Sequence, residues 1–466
     1  MITIKPDFER AYKLFHNGIL ALARAERQGM RIDLTYCQTK EIELTQQIDI
    51  LEGEFRESKL FRHWQHTTKG TPNINSNYQL AHFLYSTKKI TPAKTTVTGK
   101  GATDEEALEA LNIPELNLLL QARKLKKLRD TYLKAFVSEQ VNGYIHPFFN
   151  LHTVKTFRSS SDSPNFQNIP KRDKEAMQIV RKAIFPRPGH QLLEIDFSAL
   201  EVKIAACYHQ DPTMLKYLKD PTTDMHRDMA EQIFFIKFQK CPEHTLLRAA
   251  AKNGFVFPQF YGDYYKNCAV SLSSTWGKLP DGAWKDTHGI PMPDNGTLGA
   301  HMRENGIKNI GAFTEHIKEI EKHFWGTRFP VYASWKQQWW QKYQKTGRIA
   351  MFTGFECSGL MGRNDCINYP IQGAAFHCLL LLFIELDSLI ISQKWKTRVI
   401  GQIHDAILLD VHPSELSEVV TNITNITTQR LHKIWSWITI PLTVEADLGG
   451  IDSSWADLKP FEMPCP

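Results

Sequence analysis

The stretch IGQIHDAILLDV, Ile400–Val411, decides how this chain is read. Ile400, Ile403, Ile407, Leu408, Leu409 and Val411 are strand formers in a short apolar run. His404 and Asp405 stand side by side at its centre. A carboxylate there is costly to bury unless a positive group meets it, so Asp405 needs a reason. A second stretch, LLEIDFSALEVK (Leu192–Lys203), ends an apolar strand on Asp196. Two carboxylates on adjacent strands can clamp divalent cations that stabilise both oxygens of an in-line phosphoryl displacement. Magnesium suits such a site, because it takes few carboxylates and completes its shell with water and phosphate. Spacing alone leaves a plainer reading equally open. Strand-end aspartates are common turn residues, and each could simply face a buried base.

The whole chain has 466 residues, 42% of them hydrophobic, enough for a core spread over two or three lobes. A net charge of +6 suits a polyanionic partner without demanding one. The eight cysteines include no CxxC pair, which argues against a zinc site or a disulfide framework and for a reducing compartment. The N-terminus, MITIKPDFER, is charged and unlike a signal peptide. The most apolar stretch, Ala374–Ile391, contains Glu385 and Asp387 and reads as a buried core helix rather than a membrane span.

Along the chain, 8–30 reads as a helix ending near Gly29, and 36–60 as an amphipathic helix. Ser76 or Asn77 is expected to cap a short helix, and Thr103 with Glu106 to form a capping box. A basic helix carries Arg123, Lys124, Lys126, Lys127, Arg129 and Lys134. A charge run is usually a solvated face. Residues 245–265 and 313–347 read as helical, and 271–305, with its Gly and Pro, as an irregular insertion.

Five blocks, in this order, resemble the family A DNA polymerases, the bacterial polymerase I type and especially phage-encoded relatives. They are TFRSSSDSPNFQNIP (Thr156–Pro170), DFSALEVK (Asp196–Lys203), RAAAKNGFVFPQFYG (Arg248–Gly262), NYPIQG (Asn368–Gly373) and QIHDA (Gln402–Ala406). Each is weak alone; five in order are specific. The resemblance implies an α+β right hand with an antiparallel palm sheet and mainly helical thumb and fingers. It implies template-directed addition of dNTPs to a primer 3′-OH, with DNA primer–template as partner. The divisions it suggests are 1–35 palm base, 36–140 thumb, 141–225 palm, 226–360 fingers (with an insertion at 263–305) and 361–466 palm. A monomer in a bacterial cytoplasm, with no membrane contact and a separate replication protein as partner, completes the expectation.

By the resemblance, Asp196, Asp405 and the Phe197 carbonyl hold two Mg2+ ions. Glu201 is the steric gate against a ribose 2′-OH, where the plain alternative is a helix-surface glutamate. His226 lies near the incoming triphosphate. Arg248 and Lys252, four apart on one helix face, grip that triphosphate. Tyr261 closes the finger block. Arg158, Asn165, Gln167, Asn168, Gln372 and His404 contact the primer–template near its terminus. Donors in the minor groove can test pair shape without reading sequence; for the Asn and Gln residues, local turn capping is the alternative. Arg181 matches a family arginine or makes a structural salt bridge.

The chain also departs from the family pattern. The finger block holds one extra residue between Lys252 and Tyr261, which a π-bulge would absorb. The nucleotide-stacking position is then Val256 or Phe257, and an aromatic ring favours Phe257. Pro258 suggests a kink. Phe157 replaces a family glycine, Ala199 a glutamine, and Ala406 an acidic residue. Similarity begins almost at Met1, so neither a 3′→5′ nor a 5′→3′ exonuclease is expected. Rival readings are a single-subunit RNA polymerase, which Glu201 opposes, a two-carboxylate nuclease, which leaves the finger block unexplained, and a non-catalytic nucleic-acid clamp.

Overall fold

The computed structural model describes residues 4–464 except 69, 93, 97, 98, 172, 277–283 and 295. Parts of the 95–103 loop and of the expected insertion therefore lie outside the described residues, as does Cys465.

At the centre is a five-stranded antiparallel sheet in the order Lys459–Phe461, Val444–Leu448, Gln191–Phe197, Ala406–Val411, Arg398–Ile403. The Ile400–Val411 run is thus two strands, with His404 and Asp405 at the hairpin tip. Its strands are mostly apolar because both faces are covered: Ala406, Ile407, Leu408, Leu409 and Val411 are fully buried. Helix Arg363–Ser392 packs on the strands and on helix Phe8–Gln28. It is long and apolar enough to cross a membrane, but it is mostly buried in the protein. That matches its reading as a core helix, and Arg24 pairs with its Asp387 at 2.5 Å.

A second, smaller core forms around Phe55, Phe61, Trp64, Phe83 and Leu116, inside the 36–140 stretch. Sequence caps are realised there and elsewhere: Ser76 accepts from Gln79 N, and Gly29 ends the first helix at φ +67°, a conformation open mainly to glycine. One cap differs. Asp104, not Thr103, accepts from Ala107 N, while Glu106 pairs with Lys94 at 2.7 Å. The two are adjacent good caps, and the charged one wins at the positive helix end.

The region from 263 to 305 is more ordered than its Gly and Pro content suggests. It contains helices Tyr265–Ser273 and Leu298–Glu304. Trp276 and Trp284 pack at 4.7 Å, and Trp276 meets Phe313 at 5.0 Å. These rings join the main core, which is why a segment poor in regular pattern still folds onto the helix Ile310–His323.

Candidate active site

The Gln191–Phe197 strand pairs with Ala406–Val411 so that Asp196 lies opposite Ala406, beside the hairpin tip. Phe197 N donates to the Asp405 carbonyl at 3.2 Å, fixing the tip against the strand end. The two carboxylates therefore converge, although they stand far apart in sequence. Asp405 is pushed up to about 6, first by burial and then by the charges of Glu201 and Asp196, against the pull of Arg158 and Lys171. Crowded acidic oxygens of this kind are a donor set for a hard cation. Among the described residues no group of three or more His, Cys, Asp or Glu gathers as a metal cage. Two carboxylates and a carbonyl nevertheless fit magnesium, which takes its other ligands from water and phosphate.

Each carboxylate has a cation beside it. Lys171 Nζ is 2.5 Å from Asp196 Oδ2. Arg158 Nη2 bonds Glu201 and lies 3.8 Å from Asp405 Oδ1. Tyr261 Oη donates to the other Glu201 oxygen at 2.5 Å, and burial, then this anion, push the phenol well above its usual value. Arg158, Phe197, Glu201, Phe257, Tyr261, His404 and Asp405 line one cleft of about 330 Å³. Asp196 lines a separate groove with Lys171 and Glu445.

The finger block forms helix Pro242–Ala251, a π-helical segment Lys252–Val256 and helix Phe257–Tyr261. The extra residue is absorbed in that π segment. Pro258 falls in the first turn after it, where a missing N–H does no harm. Val256 is fully buried, whereas Phe257 lines the cleft, with Lys252 Nζ 5.1 Å from its ring. The His226 ring meets Phe257 edge-on at 5.7 Å. Burial, then Arg248 and Lys252, pull His226 down to about 4, so its imidazole is neutral. Its Nδ1 is buried without a protein partner. Arg248 is tied to Asp224 at 2.7 Å, and Asp224 also caps the helix that carries His226.

The residues expected on the primer–template side separate. His404 is exposed at the hairpin tip and also borders the groove lined by Lys124, Lys127, Asn168 and Lys171. Gln167 Nε2 donates to Ser159 Oγ at 2.8 Å and to Gln402. Asn165 accepts from Asn168 N at 3.2 Å, the local capping role, and the Asn168 carbonyl accepts from Tyr132 Oη at 2.5 Å. Gln372 is half-buried on helix Arg363–Ser392 and does not line the cleft. Arg181 takes the structural role: it bonds Glu194 at 2.7 Å and stacks 4.0 Å from Trp455.

Sequence reasoning passed over Lys171, Gln402 and Asn368. Gln402 is buried and accepts from Ser159 Oγ at 2.7 Å, while its Nε2 bonds the His404 carbonyl at 2.5 Å, bracing the tip. Asn368 Nδ2 holds the Tyr261 carbonyl at 3.2 Å. All three lie in or directly after the quoted blocks, which was the available signal. The basic helix is also less bare than it reads. Lys124 pairs with Asp173, Lys126 with Glu52, and Arg129 and Lys134 with Asp130.

The sequence model described as DNA polymerase family A matches residues 37–276 and 338–457. Thermostable DNA polymerase I of Thermus thermophilus is 27% identical over 458 residues, covering 94% of this chain and 47% of that protein. That of Thermus filiformis is 34% identical, with the same coverage. DNA polymerase I of Synechocystis is 26% identical, covering 94% of this chain and 41% of that protein. The chain spans about half the length of these relatives. The solved POL domain of Pol1 from M. smegmatis, in complex with DNA primer-template and dNTP, superposes with a TM-score of 0.72 at 22% identity, covering 95% of this chain and 70% of that one.

Proposed function

The chain belongs to DNA polymerase family A, and from that premise we propose that it is a template-directed DNA polymerase that adds dNTPs to a primer 3′-OH. The observation that carries this reading is the meeting of Asp196 and Asp405 at one end of the central strand pair, with Asp405 lining the cleft beside Glu201, Tyr261 and Phe257. Polymerases of this family are generally metal-dependent. Asp196, Asp405 and the Phe197 carbonyl would hold two Mg2+ ions, which supply activation of the primer hydroxyl and charge neutralisation on the phosphates.

The protein's own groups do the rest. Phe257 stacks on the incoming base and sugar, with neutral His226 packed against its edge. Lys252 and Arg248 face the triphosphate charge, as fixed cations must in a site that excludes water. Arg248 would exchange Asp224 for phosphate. Glu201, held by Arg158 and Tyr261, fills the space beside the sugar and rejects a 2′-OH. Arg158, Gln167 and His404 meet the primer–template end, with thumb 36–140 and the Lys127 side of its basic helix along the duplex backbone.

Primer extension on a 5′-labelled primer–template, with magnesium and with dNTPs or rNTPs separately, tests this. Matched extension with dNTPs alone is expected. Asp196→Asn and Asp405→Asn should each abolish extension while primer–template binding persists. Extension by either variant would sink the two-carboxylate assignment; duplex binding without extension by the native chain would favour the clamp reading.

A further inference from the structure

The helix Phe257–Tyr261 turns one side to the cleft and the other to a buried polar cluster. Phe257 and Tyr261 are four residues apart, on one helical side; Gln259, midway, points the opposite way. Gln259 is 1% exposed. Its Oε1 accepts from Trp325 Nε1 at 2.6 Å, and its Nε2 donates to Glu321. Its backbone carbonyl accepts from Lys336 Nζ at 3.1 Å. Lys336, on helix Pro330–Thr346, is itself buried, with Nζ 3.7 Å from the Trp325 ring centroid and 5.2 Å from that of Tyr332.

A buried lysine is costly, and an apolar side chain would fill the same space more cheaply. Burial, with Arg363 acting the same way and Glu321 opposing, brings Lys336 down to about 7. No carboxylate forms an ion pair with it among the described residues. Its hydrogen bond goes to the helix bearing the cleft residues. That helix continues the π segment for only five residues, and Pro258 gives it no amide to donate, so bonds from outside add to what fixes its rotation.

We propose that Lys336 and Gln259 are a positioning pair that fixes the rotation of the Phe257–Tyr261 helix and thereby sets nucleotide affinity and sugar discrimination at the cleft. This rests on the polymerase reading above. Neither residue touches the substrate. They act through Phe257, which stacks, and through Tyr261, which holds Glu201. A small rotation about the helix axis moves both rings together, and displacements near 1 Å can change rates by roughly 100-fold.

At nearly constant volume, Lys336→Met removes the bond to the 259 carbonyl, and Gln259→Leu removes those to Trp325 and Glu321. In folded variants the dNTP KM should rise about tenfold, rNTP acceptance should increase, and kcat and duplex affinity should hold. Hydrogen exchange gives a readout independent of catalysis: amides of 252–262 should exchange faster in both variants, with the palm strands unchanged. Native exchange rates across 252–262 would overturn the proposal whether or not the chain polymerises. Faster exchange with native KM and native discrimination, in variants built on an active chain, would overturn its functional half. If the native chain fails to extend a primer, the polymerase reading falls, and the exchange result alone decides whether the pair positions the helix.

Discussion

Asp405 should destabilise the metal-free protein at neutral pH, and Asp405→Asn should relieve this. Its folded value of about 6 lies above the ordinary 3.8. Between these values the folded state binds more protons than the unfolded state, so stability falls as pH rises through that window and stays low above it. The gap sets a ceiling of roughly 3 kcal/mol. The side chain is 36% exposed, with Arg158 3.8 Å away, so solvent and that cation reduce the expected gain to about 1 kcal/mol. Urea unfolding in EDTA measures it. At about pH 7.5 the Asn variant should have the higher midpoint with an unchanged slope. Near pH 4 the advantage should shrink by more than half, because the folded wild-type carboxyl is then largely protonated. A less stable Asn variant at neutral pH, or an advantage equal at both pH values, would refute the crowded-carboxylate argument.

Three further outcomes follow from the same geometry. Glu201→Ala removes the shared partner of Arg158 and Tyr261 and should admit rNTPs in primer extension; unchanged dNTP preference would remove the gate. Phe257→Tyr should leave thermal stability intact and improve dideoxynucleotide incorporation, while Val256→Tyr, at a fully buried position, should cost about 1–3 kcal/mol by overpacking. The reverse pattern would put the finger register off by one. Ala199 is exposed at φ +53°, so Ala199→Gly should raise the unfolding free energy by about 0.5–1 kcal/mol, the left-handed cost less the glycine entropy, seen as a higher urea midpoint; a lower midpoint would contradict it.

The parts of this fold that depend on local pattern were legible in the sequence. The apolar runs around Asp196 and Asp405 became paired strands, because such runs suit a sheet covered on both faces. The surplus residue after Lys252 became a π segment, since a helix can take in one residue without losing its axis. Phe257 is preferred over Val256 on the aromatic ring's chemistry alone, and of the two it is Phe257 that lines the cleft. What stayed hidden were partners distant in sequence. Nothing local announces that Lys171 meets Asp196, that Arg158 and Tyr261 share Glu201, or that Lys126 reaches back to Glu52. The packing of the 271–305 stretch stayed hidden for the same reason: Trp276 finds its core partner in Phe313, which no window around Trp276 contains.

Backbone strain shares the site with crowded charge. Phe157, Ala199 and His404 have φ of +57°, +53° and +49°. Each stands within two residues of a proposed functional group: Phe157 before Arg158, Ala199 before Glu201, His404 before Asp405. Lys89, Asn112, Asn142, Ser163, Gln210, Phe235, Lys394 and Asp452 also take this conformation elsewhere in the fold; asparagine tolerates it through local hydrogen bonds. Phenylalanine has no such relief, and its cost is about 1–2 kcal/mol. Phe157 is held there by ring contact with Phe355 at 4.9 Å and by His377 bonding its carbonyl at 3.1 Å; His404 is held by Gln402. Strain that persists under such constraint belongs where it aims a side chain. The charge cost at Asp405 has the same sign. Both therefore predict where stabilising substitutions concentrate: around 157, 199, 404 and 405, where gains in folding free energy should come with lost extension rather than without cost.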